Sequence, residues 1–513
     1  MKYQIKFAFF VGVLLCHKVV SGLCPYRCQC DEKKLMVFCD GAKLDVVPIT
    51  LNPDLRQLHL GKNSIRSIMS AFSVYHNLEY LDMNGNHLVT LGKNNFERQH
   101  RLQILLLSHN MISSLHQMSF LGLNSLEILK LAGNVIRELP SGVFKELSSL
   151  EVLDLSKNNI VTISNDAFIG LSRIKILLLR ENKLEQIPKP AFEPIPYLIS
   201  LDLGQNSILL VEDHVFSNLL ELKLLKLDSC RIHEIHKHAF AGLNHLTDLL
   251  LQDNELKDIP TEALQDLETV QELKIGQNNF RKIQNNAFAG LKNLRSLNIN
   301  SAPLLERIEN HAFLSNSNLQ HIVMNHNKEL RYIGKDTFSV LSSLRTISLR
   351  DNAFYTVPAE VLPWQNLESF DVRDNPLVCN CSLLWLLRFV QNFNYSSIID
   401  PDITRITCET PPFLLDLLLK DLTPEDLGCY RSETQKILTW TFAVVGVLVI
   451  VVIVIILWYR QKVATDLKIK CSTSLSDSQF DARYGQDSFR NGLTPEREWM
   501  VKIGKESYPG RLV

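Results

Sequence analysis

Leu55-Arg-Gln-Leu-His-Leu-Gly-Lys-Asn-Ser-Ile65 is the stretch that decides the fold. Its pattern, L-x-x-L-x-L-x-x-N-x-I/L, recurs at intervals of 23 to 25 residues between residues 55 and 377. The fourteen copies begin at Leu55, Leu78, Leu102, Leu126, Leu150, Ile174, Leu198, Leu222, Leu246, Val270, Leu294, Leu319, Leu344 and Leu367. One copy is too short to bury its apolar side chains alone, so successive copies must stack on one another. The sequence therefore predicts an α/β repeat solenoid rather than a globular core.

Each copy begins with apolar residues at positions one, four and six and polar residues between them, which is typical of a strand with one buried face. An Asn follows at position nine, where its amide can donate to and accept from the backbone of neighbouring coils. We expect this role for Asn63, Asn86, Asn110, Asn134, Asn158, Asn182, Asn206, Asn254, Asn278, Asn327, Asn352 and Asn375. Repeats of this pattern also accept Cys there, so we interpret Cys230 as a buried free thiol. Ala302, followed by Pro303 and accompanied by two lengthened repeats, predicts an irregular coil.

The second half of each copy carries a Phe seventeen to nineteen residues after the first apolar position, with Leu in two copies. Rings at one depth of successive coils would stack into an aromatic spine on the convex side. The members are Phe72, Phe96, Phe120, Phe144, Phe168, Phe192, Phe216, Phe240, Phe288, Phe313 and Phe338, with Leu264 and Leu362 as substitutes.

Residues 1–22 predict a secretory signal, because Lys2 and Lys6 precede a short apolar run and small residues follow it. Four cysteines lie directly before the repeats and four lie after them. They are Cys24, Cys28, Cys30, Cys39, Cys379, Cys381, Cys408 and Cys429. Behind an export signal they indicate disulfides in two caps, at 23–54 and 378–429, that cover the apolar ends of the solenoid. Zinc ligation is the alternative, and the oxidising export route disfavours it; the residues alone leave the pairing open.

The segment Asn375-Pro-Leu-Val-Cys-Asn-Cys381 and the nearby Trp385, together with both cysteine groups, resemble the caps of extracellular leucine-rich-repeat proteins. Slit, the Nogo receptor, Toll-like receptor ectodomains and neuronal leucine-rich-repeat transmembrane proteins share these caps. The resemblance covers residues 24–429 and implies a curved horseshoe closed by disulfide caps. In that family the first cysteine of a cap pairs with the third and the second with the fourth. The resemblance thus implies Cys24–Cys30, Cys28–Cys39, Cys379–Cys408 and Cys381–Cys429.

Residues 437–459 lack charge and are rich in Val and Ile, which predicts one transmembrane helix. Arg460 and Lys462 follow, so we expect the C-terminus in the cytosol and the repeats outside the cell. The chain is then a single-pass type I protein of the plasma membrane. Residues 430–436 would form a short stalk. Residues 460–513 would form a disordered cytoplasmic tail, too short for a kinase or a Toll-type signalling domain.

Two sequons predict N-glycosylation in the C-terminal cap. They are Asn394-Tyr-Ser396 and Asn380-Cys-Ser382. The first lies in a polar segment suited to a glycan. The second lies between two cap cysteines, where we expect limited access.

The composition disfavours several classes of function. The formal net charge is −1 and no basic stripe is interleaved with aromatic residues, so we expect no nucleic-acid partner. No motif of a hydrolase, metalloprotease or phosphate-binding loop is present, so we expect neither an enzyme nor a cofactor. His233, His236 and His238 form the densest histidine group, and a solvated surface is the favoured interpretation over a metal site.

What remains is recognition by the concave strand face, where solenoids usually bind. Positions three and five of consecutive copies place apolar residues on that face over roughly 20 Å of sheet. We call these residues the concave strip: Tyr80, Ile104, Leu106, Ile128, Val152, Ile176 and Leu178. Exposed apolar patches of this size often mark contact sites, although β-branched residues also simply suit strands. We expect a cell-surface receptor or adhesion molecule for a protein ligand. The alternative is an accessory subunit that regulates another membrane receptor or channel in the same membrane.

Overall fold

A computed structural model of the chain describes residues 23–363, 367–392, 405–429 and 433–473. The predicted signal at 1–22, the sequon at Asn394 and residues 474–513 of the predicted tail lie outside these ranges. The repeats and both caps belong to one compact unit, and the segment from residue 431 onward forms a second.

One short strand from each of the fourteen repeats joins a single parallel sheet, and a hairpin from the N-terminal cap extends it to sixteen strands. In order along the sheet the strands are Gln29–Asp31, Met36–Phe38, Gln57–His59, Tyr80–Asp82, Ile104–Leu106, Ile128–Lys130, Val152–Asp154, Ile176–Leu178, Ser200–Asp202, Leu224–Lys226, Asp248–Leu250, Glu272–Lys274, Ser296–Asn298, His321–Val323, Thr346–Ser348 and Ser369–Asp371. Only the first pair is antiparallel. The middle residue of each repeat strand is buried and its two neighbours face outward, as the alternating pattern predicts.

Smaller elements lie on the other sides of the coils. Short strands pair in three minor sheets: Glu138–Leu139, Thr162–Ile163, Leu210–Val211, Glu234–Ile235, Lys282–Ile283, Arg307–Ile308 and Tyr332–Ile333. Single helical turns occur at Lys189–Phe192, Thr261–Leu264, Ala359–Val361, Cys381–Leu383, Pro412–Leu414 and Leu419–Asp421. Two longer helices complete the described chain, Leu384–Asn392 and Glu433–Thr473.

The Asn side chains form the expected ladder between coils. The Nδ2 of Asn86 donates to Met83 O of its own coil at 3.1 Å and to Leu60 O of the preceding coil at 2.9 Å. Its Oδ1 accepts the Ile65 N–H at 3.0 Å. One side-chain amide thus satisfies backbone groups on two coils, which allows the turn after the strand to be buried.

The residue directly before that Asn position has a positive φ in all fourteen coils. These residues are Lys62, Gly85, His109, Gly133, Lys157, Glu181, Gln205, Ser229, Asp253, Gln277, Ser301, His326, Asp351 and Asp374. Only two are Gly, although the left-handed region disfavours residues with a Cβ. The stacking of the coils therefore imposes a left-handed turn residue at positions where the residue type does not predict one.

The predicted aromatic spine is present and fully buried. Neighbouring rings stack with centroids 5.5 to 6.5 Å apart, as in Phe168–Phe192 at 6.5 Å and Phe313–Phe338 at 5.5 Å. Parallel strands are spaced by only about 4.8 Å. Because the coils are wider apart at the spine than at the sheet, the stack curves with its sheet on the concave side.

The two 25-residue repeats form the irregular region that the sequence indicates. Here the Oδ1 of Asn327 accepts the backbone N–H of Ala302, at position nine of its repeat, at 2.8 Å. In the repeat of Asn63 the donor is instead the backbone N–H two residues after position nine, that of Ile65. The Nδ2 of Asn327 is buried without a hydrogen-bond partner. In both 25-residue repeats the backbone N–H at position nine therefore donates to the Asn of the next coil.

Disulfides close both ends of the repeat unit. The bonded pairs are Cys24–Cys30, Cys28–Cys39, Cys379–Cys408 and Cys381–Cys429, which are the four that the resemblance implies. In the C-terminal cap the helix Leu384–Asn392 buries Leu386 and Leu387, and the Trp385 indole N–H donates to Val357 O at 3.0 Å. The cap helix thus covers the last coils with apolar side chains.

The helix Glu433–Thr473 contains a segment, Lys436–Thr465, that is long and apolar enough to cross a membrane. It includes the predicted span at 437–459. The helix also continues beyond that span to Thr473, so the expectation of disorder is wrong for 460–473. No Pro or Gly interrupts these residues, and Arg, Lys, Gln, Ala and Leu propagate a helix once it has begun.

Candidate recognition surface

Five residues of the concave strip form one continuous row on the sheet, and the other two lie in the neighbouring row. Strand register places Tyr80 beside Ile104, Ile104 beside Ile128, Ile128 beside Val152 and Val152 beside Ile176. The neighbouring row holds Leu106 and Leu178. All seven side chains are half-buried, since each is partly covered by its neighbours but keeps an outward face.

The strip ends at defined positions along the sheet. On the C-terminal side Ile176 pairs with Ser200, and the row continues through Leu224 to Asp248 and then Glu272. The row is therefore apolar in its N-terminal half and polar or mixed beyond it. A ligand that needs a continuous apolar contact area on this row would find it over the N-terminal half of the sheet.

A network of charges lies beside the C-terminal end of the strip. Arg180 binds Asp228 through two bonds, Nη1–Oδ1 at 3.0 Å and Nη2–Oδ2 at 2.7 Å. Lys226 Nζ lies 3.3 Å from Asp202 Oδ2 on the neighbouring strand. The hydrogen bonds that Arg180 donates to the Asp228 carboxylate raise the pKa of Arg180 above its ordinary value. The paired charges hold three coils together and leave little unpaired charge at this edge.

A cluster that the sequence did not reveal lies at the N-terminal end of the strip. We call it the anchor cluster: Phe38, Asp40, His59, Tyr80 and Asp82. The rings of Phe38 and His59 stack at 4.5 Å, and those of His59 and Tyr80 lie 4.7 Å apart. Residues 23–54 lack the repeat pattern, so the sequence predicts only a cap there. Strand Met36–Phe38 nevertheless pairs in register with Gln57–His59, which adds one more strand to the concave face.

The electrostatics of this cluster are unusual for a surface. Desolvation, with the nearby charge of Asp40, raises the pKa of the Asp82 carboxyl, and a hydrogen bond from Asn84 N–H opposes the shift. Desolvation lowers the pKa of His59, which favours the neutral ring. The Nε2 of His59 is buried without a hydrogen-bond partner. The cluster therefore combines two carboxylates with a neutral stack of three rings.

Asn380 is exposed at the start of the helical turn Cys381–Leu383. Its Oδ1 accepts hydrogen bonds from Ser382 N at 2.8 Å and Ser382 Oγ at 2.7 Å. The neighbouring disulfide thus leaves this side chain at the surface, contrary to the limited access expected from the sequence. Glycosylation at Asn380, and at Asn394 outside the described residues, stays a prediction.

Cys230 is a buried free thiol, as its repeat position predicts. Its Sγ lies 3.2 Å from Leu203 O, where Asn Nδ2 donates in regular coils. Burial raises the pKa of the thiol to about 12. His233 and His238 are exposed, and within the described ranges no group of His, Cys, Asp or Glu is arranged to hold a metal ion.

Comparison with known proteins agrees with this architecture. The family model described as "Leucine rich repeat" matches residues 76–136 and 128–184. The model described as "BspA type Leucine rich repeat region (6 copies)" matches residues 162–295 and 257–376. Together the matches run from residue 76 to residue 376. The chain belongs to the leucine-rich-repeat family, in the form that carries disulfide caps and a candidate membrane helix.

Curated relatives match over shorter stretches. Human leucine-rich repeat-containing protein 3B is 34% identical over 114 residues, which are 22% of this chain and 44% of that protein. Its zebrafish (Danio rerio) counterpart is 41% identical over 119 residues, which are 21% of this chain and 45% of that protein. Human oligodendrocyte-myelin glycoprotein is 30% identical over 94 residues, 18% of this chain and 21% of that protein. The chain spans less than half the length of these relatives.

Solved structures share the fold. The Toll–Spatzle complex of Drosophila contains a chain that matches with a TM-score of 0.58 and 21% identity, covering 73% of this chain and 55% of that chain. A TLR13–ssRNA13 complex matches with a TM-score of 0.56 and 24% identity, over 74% of this chain and 54% of that chain. At these identities the likeness establishes the solenoid and nothing about ligands.

Proposed function

We propose that this chain is a cell-surface recognition protein that binds a protein partner through the concave strip. The observation that carries the proposal is the register of five consecutive strands, which aligns Tyr80, Ile104, Ile128, Val152 and Ile176 in one outward-facing row. Half-buried aliphatic side chains in a continuous row supply a preformed apolar surface. Burial of that surface contributes about 25 cal/mol of transfer free energy for each Å² removed from water, against which the entropy cost of association is set.

The remaining features support a role outside the cell. Four disulfides persist only in an oxidising compartment. A candidate membrane helix follows the caps, and Arg460 and Lys462 lie at its far end. By the excess of basic residues on cytoplasmic sides, the repeats face outward in a type I arrangement at the plasma membrane. Oligodendrocyte-myelin glycoprotein, whose sequence resembles part of the repeats, supports a receptor or ligand-binding role over an enzymatic one.

Proximity labelling from the repeats on intact cells tests the proposal. The wild-type chain is compared with the double variant Ile128→Asp/Val152→Asp, which places two charges in the middle of the strip. Leu224→Asp is the matched control, because Leu224 occupies the same strand position on the same face but lies outside the strip. Surface amount and reactivity with a conformation-sensitive antibody report folding of each variant.

We expect the double variant to lose specific partners that the wild type and Leu224→Asp both retain. An unchanged set of labelled proteins in the folded double variant would exclude the strip as the binding surface. A reduction of equal size in Leu224→Asp would assign binding to the sheet as a whole rather than to the strip.

The second candidate is an accessory subunit that regulates a receptor or channel in its own membrane. The few residues between Cys429 and the predicted span at 437–459 favour it, because residues 430–436 are seven residues, which reach at most about 25 Å. Mixing two cell populations separates the two roles. Adhesion requires the protein and its partner on opposing cells, whereas an accessory subunit copurifies with its partner from a single membrane.

A further inference from the structure

We propose that the anchor cluster binds the guanidinium group of an arginine on the protein partner, with Asp40 and Asp82 as the paired carboxylates and the rings of Phe38 and Tyr80 as the stacking surface. This inference rests on the proposed function and names the chemistry of the partner at one end of the concave strip. The occupant is a partner segment that presents an arginine beside aliphatic side chains.

The carboxylates are held in place by the backbone. Asp40 Oδ1 accepts the Gly61 N–H at 2.7 Å, and Asp82 Oδ1 accepts the Asn84 N–H at 2.8 Å. Gly61 is needed for this approach, because a Cβ there would lie 2.7 Å from Asp40 Oδ1. Each carboxylate therefore has a defined position before any ligand arrives, and its second oxygen stays available for an external donor.

Among the residues that the structure describes, no Lys or Arg forms an ion pair with Asp40 or Asp82. The ionisable groups that act on Asp82 are Asp40 and His59, with neither Lys nor Arg among them. By contrast, Asp202 and Asp228 near the other end of the strip are paired with Arg180 and Lys226. Desolvation and the nearby negative charge of Asp40 both destabilise the ionised form of Asp82, so a cation bound beside these carboxylates relieves a repulsion that already exists.

The rings select the kind of cation. Phe38 is 37% exposed, and its ring continues through His59 to Tyr80 as a neutral stack beside the carboxylates. A guanidinium is planar, stacks on aromatic faces and forms two parallel bonds to a carboxylate, whereas an ammonium acts as a compact point charge. Aromatic faces with carboxylates at their edge therefore favour arginine over lysine.

The anchor cluster is continuous with the concave strip. This continuity determines which residues the partner presents beside its arginine. Tyr80 belongs to both, and its strand neighbour Ile104 is followed by Ile128 along the same row. A partner that places arginine at the cluster thereby places its adjacent residues over aliphatic side chains. The charge fixes the position of the segment, and the apolar row supplies most of the buried area.

A displayed library of random peptides, selected on the full-length protein in lipid nanodiscs, tests the inference. Selections are compared for the wild type and for Asp40→Asn/Asp82→Asn, which removes both charges but keeps the oxygens that accept the two backbone N–H groups. The matched control is Asp154→Asn/Asp248→Asn, which removes two charges from the same face away from the cluster. Ile128→Asp/Val152→Asp tests the strip separately.

We expect peptides selected on the wild type and on the matched control to carry arginine beside aliphatic residues. On Asp40→Asn/Asp82→Asn the aliphatic preference should persist while the arginine preference disappears. A selected peptide should bind that variant about tenfold more weakly, which corresponds to about 1.4 kcal/mol. Replacing its arginine by citrulline should weaken binding to the wild type by the same factor.

Three results would overturn the inference: no arginine preference on the wild type, an arginine preference unchanged on Asp40→Asn/Asp82→Asn, or equal binding when lysine replaces arginine. Failure of the proposed function is distinguishable. It would appear as an aliphatic preference that survives in Ile128→Asp/Val152→Asp, whatever happens to the arginine.

Discussion

Arg180 and Asp228 form a bidentate ion pair although 48 residues separate them in the chain. The pair spans the coil between them, and the guanidinium of Arg180 passes over Gly204 of that coil, where no side chain blocks it. A Cβ at Gly204 would lie 2.3 Å from Arg180 Nη1. One side chain therefore ties together coils that share no strand pairing.

The first prediction concerns Gly204→Ala. Gly204 is not in the left-handed region, so the added Cβ acts by its volume and displaces the guanidinium. Asp228, only 5% exposed, then loses its partner, and we expect a loss of about 1–3 kcal/mol in the free energy of unfolding. Urea unfolding of the full-length chain measures it.

Arg180→Met provides the control for that prediction. If the effect of Gly204→Ala comes from the guanidinium, it should be much smaller in the Arg180→Met background, as a double-mutant cycle would report. An equal loss in both backgrounds would assign the effect to strain in the coil itself.

The second prediction concerns the Asn ladder. Asn206 Nδ2 donates to Leu203 O at 2.8 Å and Leu179 O at 3.1 Å, and its Oδ1 accepts Leu184 N–H at 3.0 Å. Asn206→Ala leaves these buried groups unpaired at about 1–3 kcal/mol each, so we expect a large fall in the unfolding midpoint. Cys230→Asn should retain or raise it, because the new amide can donate to Leu203 O. A fall for Cys230→Asn comparable to that for Asn206→Ala would show that this coil does not accept the amide.

The third prediction concerns the reactivity of Cys230. Burial raises its pKa to about 12, so almost no thiolate exists at neutral pH, and the side chain is inaccessible. We expect no alkylation by iodoacetamide in the folded protein and full alkylation after denaturation. Mass spectrometry of the peptide that contains Cys230 measures both. Modification of the folded chain within minutes would mean that this coil opens.

The fourth prediction concerns pH and the anchor cluster. The pKa of Asp82 is raised above its ordinary 3.8, so the carboxylate is protonated, and its attraction for a cation is lost, at a higher pH than usual. The pKa of His59 lies below its ordinary 6.5, so the ring becomes protonated as the pH falls below 6.5. The charged ring then repels a bound cation. Among the groups facing Asp82, Asp40 reinforces attraction for a cation while ionised, and Tyr80 stays neutral because its pKa is raised.

We therefore expect an arginine peptide selected on the wild type to bind progressively more weakly as pH falls from 6.5 toward 3.8. Fluorescence anisotropy with the chain in nanodiscs measures this. Asp40→Asn/Asp82→Asn should bind weakly throughout and show a much flatter profile. A flat profile for the wild type would contradict the assigned electrostatics.

The fifth prediction concerns glycosylation of Asn380. The side chain is exposed, and its Oδ1 rather than its Nδ2 is used by Ser382. We expect a glycan on Nδ2, detected as a mass decrease at the peptide after enzymatic deglycosylation. Ser382→Ala should abolish it while Asn394 remains as an internal comparison. An unmodified Asn380 on a surface-expressed chain would show that the cap folds before the glycan is added.

The repeats could be predicted from the residues because each interaction there recurs at one period. Inward apolar residues recur in all fourteen copies, and the Asn of the ladder and the Phe of the spine recur in most of them, so neighbouring copies must bring like positions together. The concave strip followed for the same reason, since Ile128 and Val152 occupy one position of consecutive copies. The disulfide pairs needed the resemblance, because cysteine spacing alone permits other pairings.

A capped solenoid, its outward strand face and a candidate membrane helix are predictable from the residues, because the hydrophobic period and the segment lengths encode them. The contacts between separate coils are visible only in the folded chain. The tertiary structure placed Phe38 against His59 by adding a cap strand to the sheet, and Arg180 against Asp228 across an intervening coil. It also changed which backbone N–H donates to Asn327. These contacts depend on the register between separate coils and on the reach of long side chains. Neither property can be predicted from a local pattern of residues.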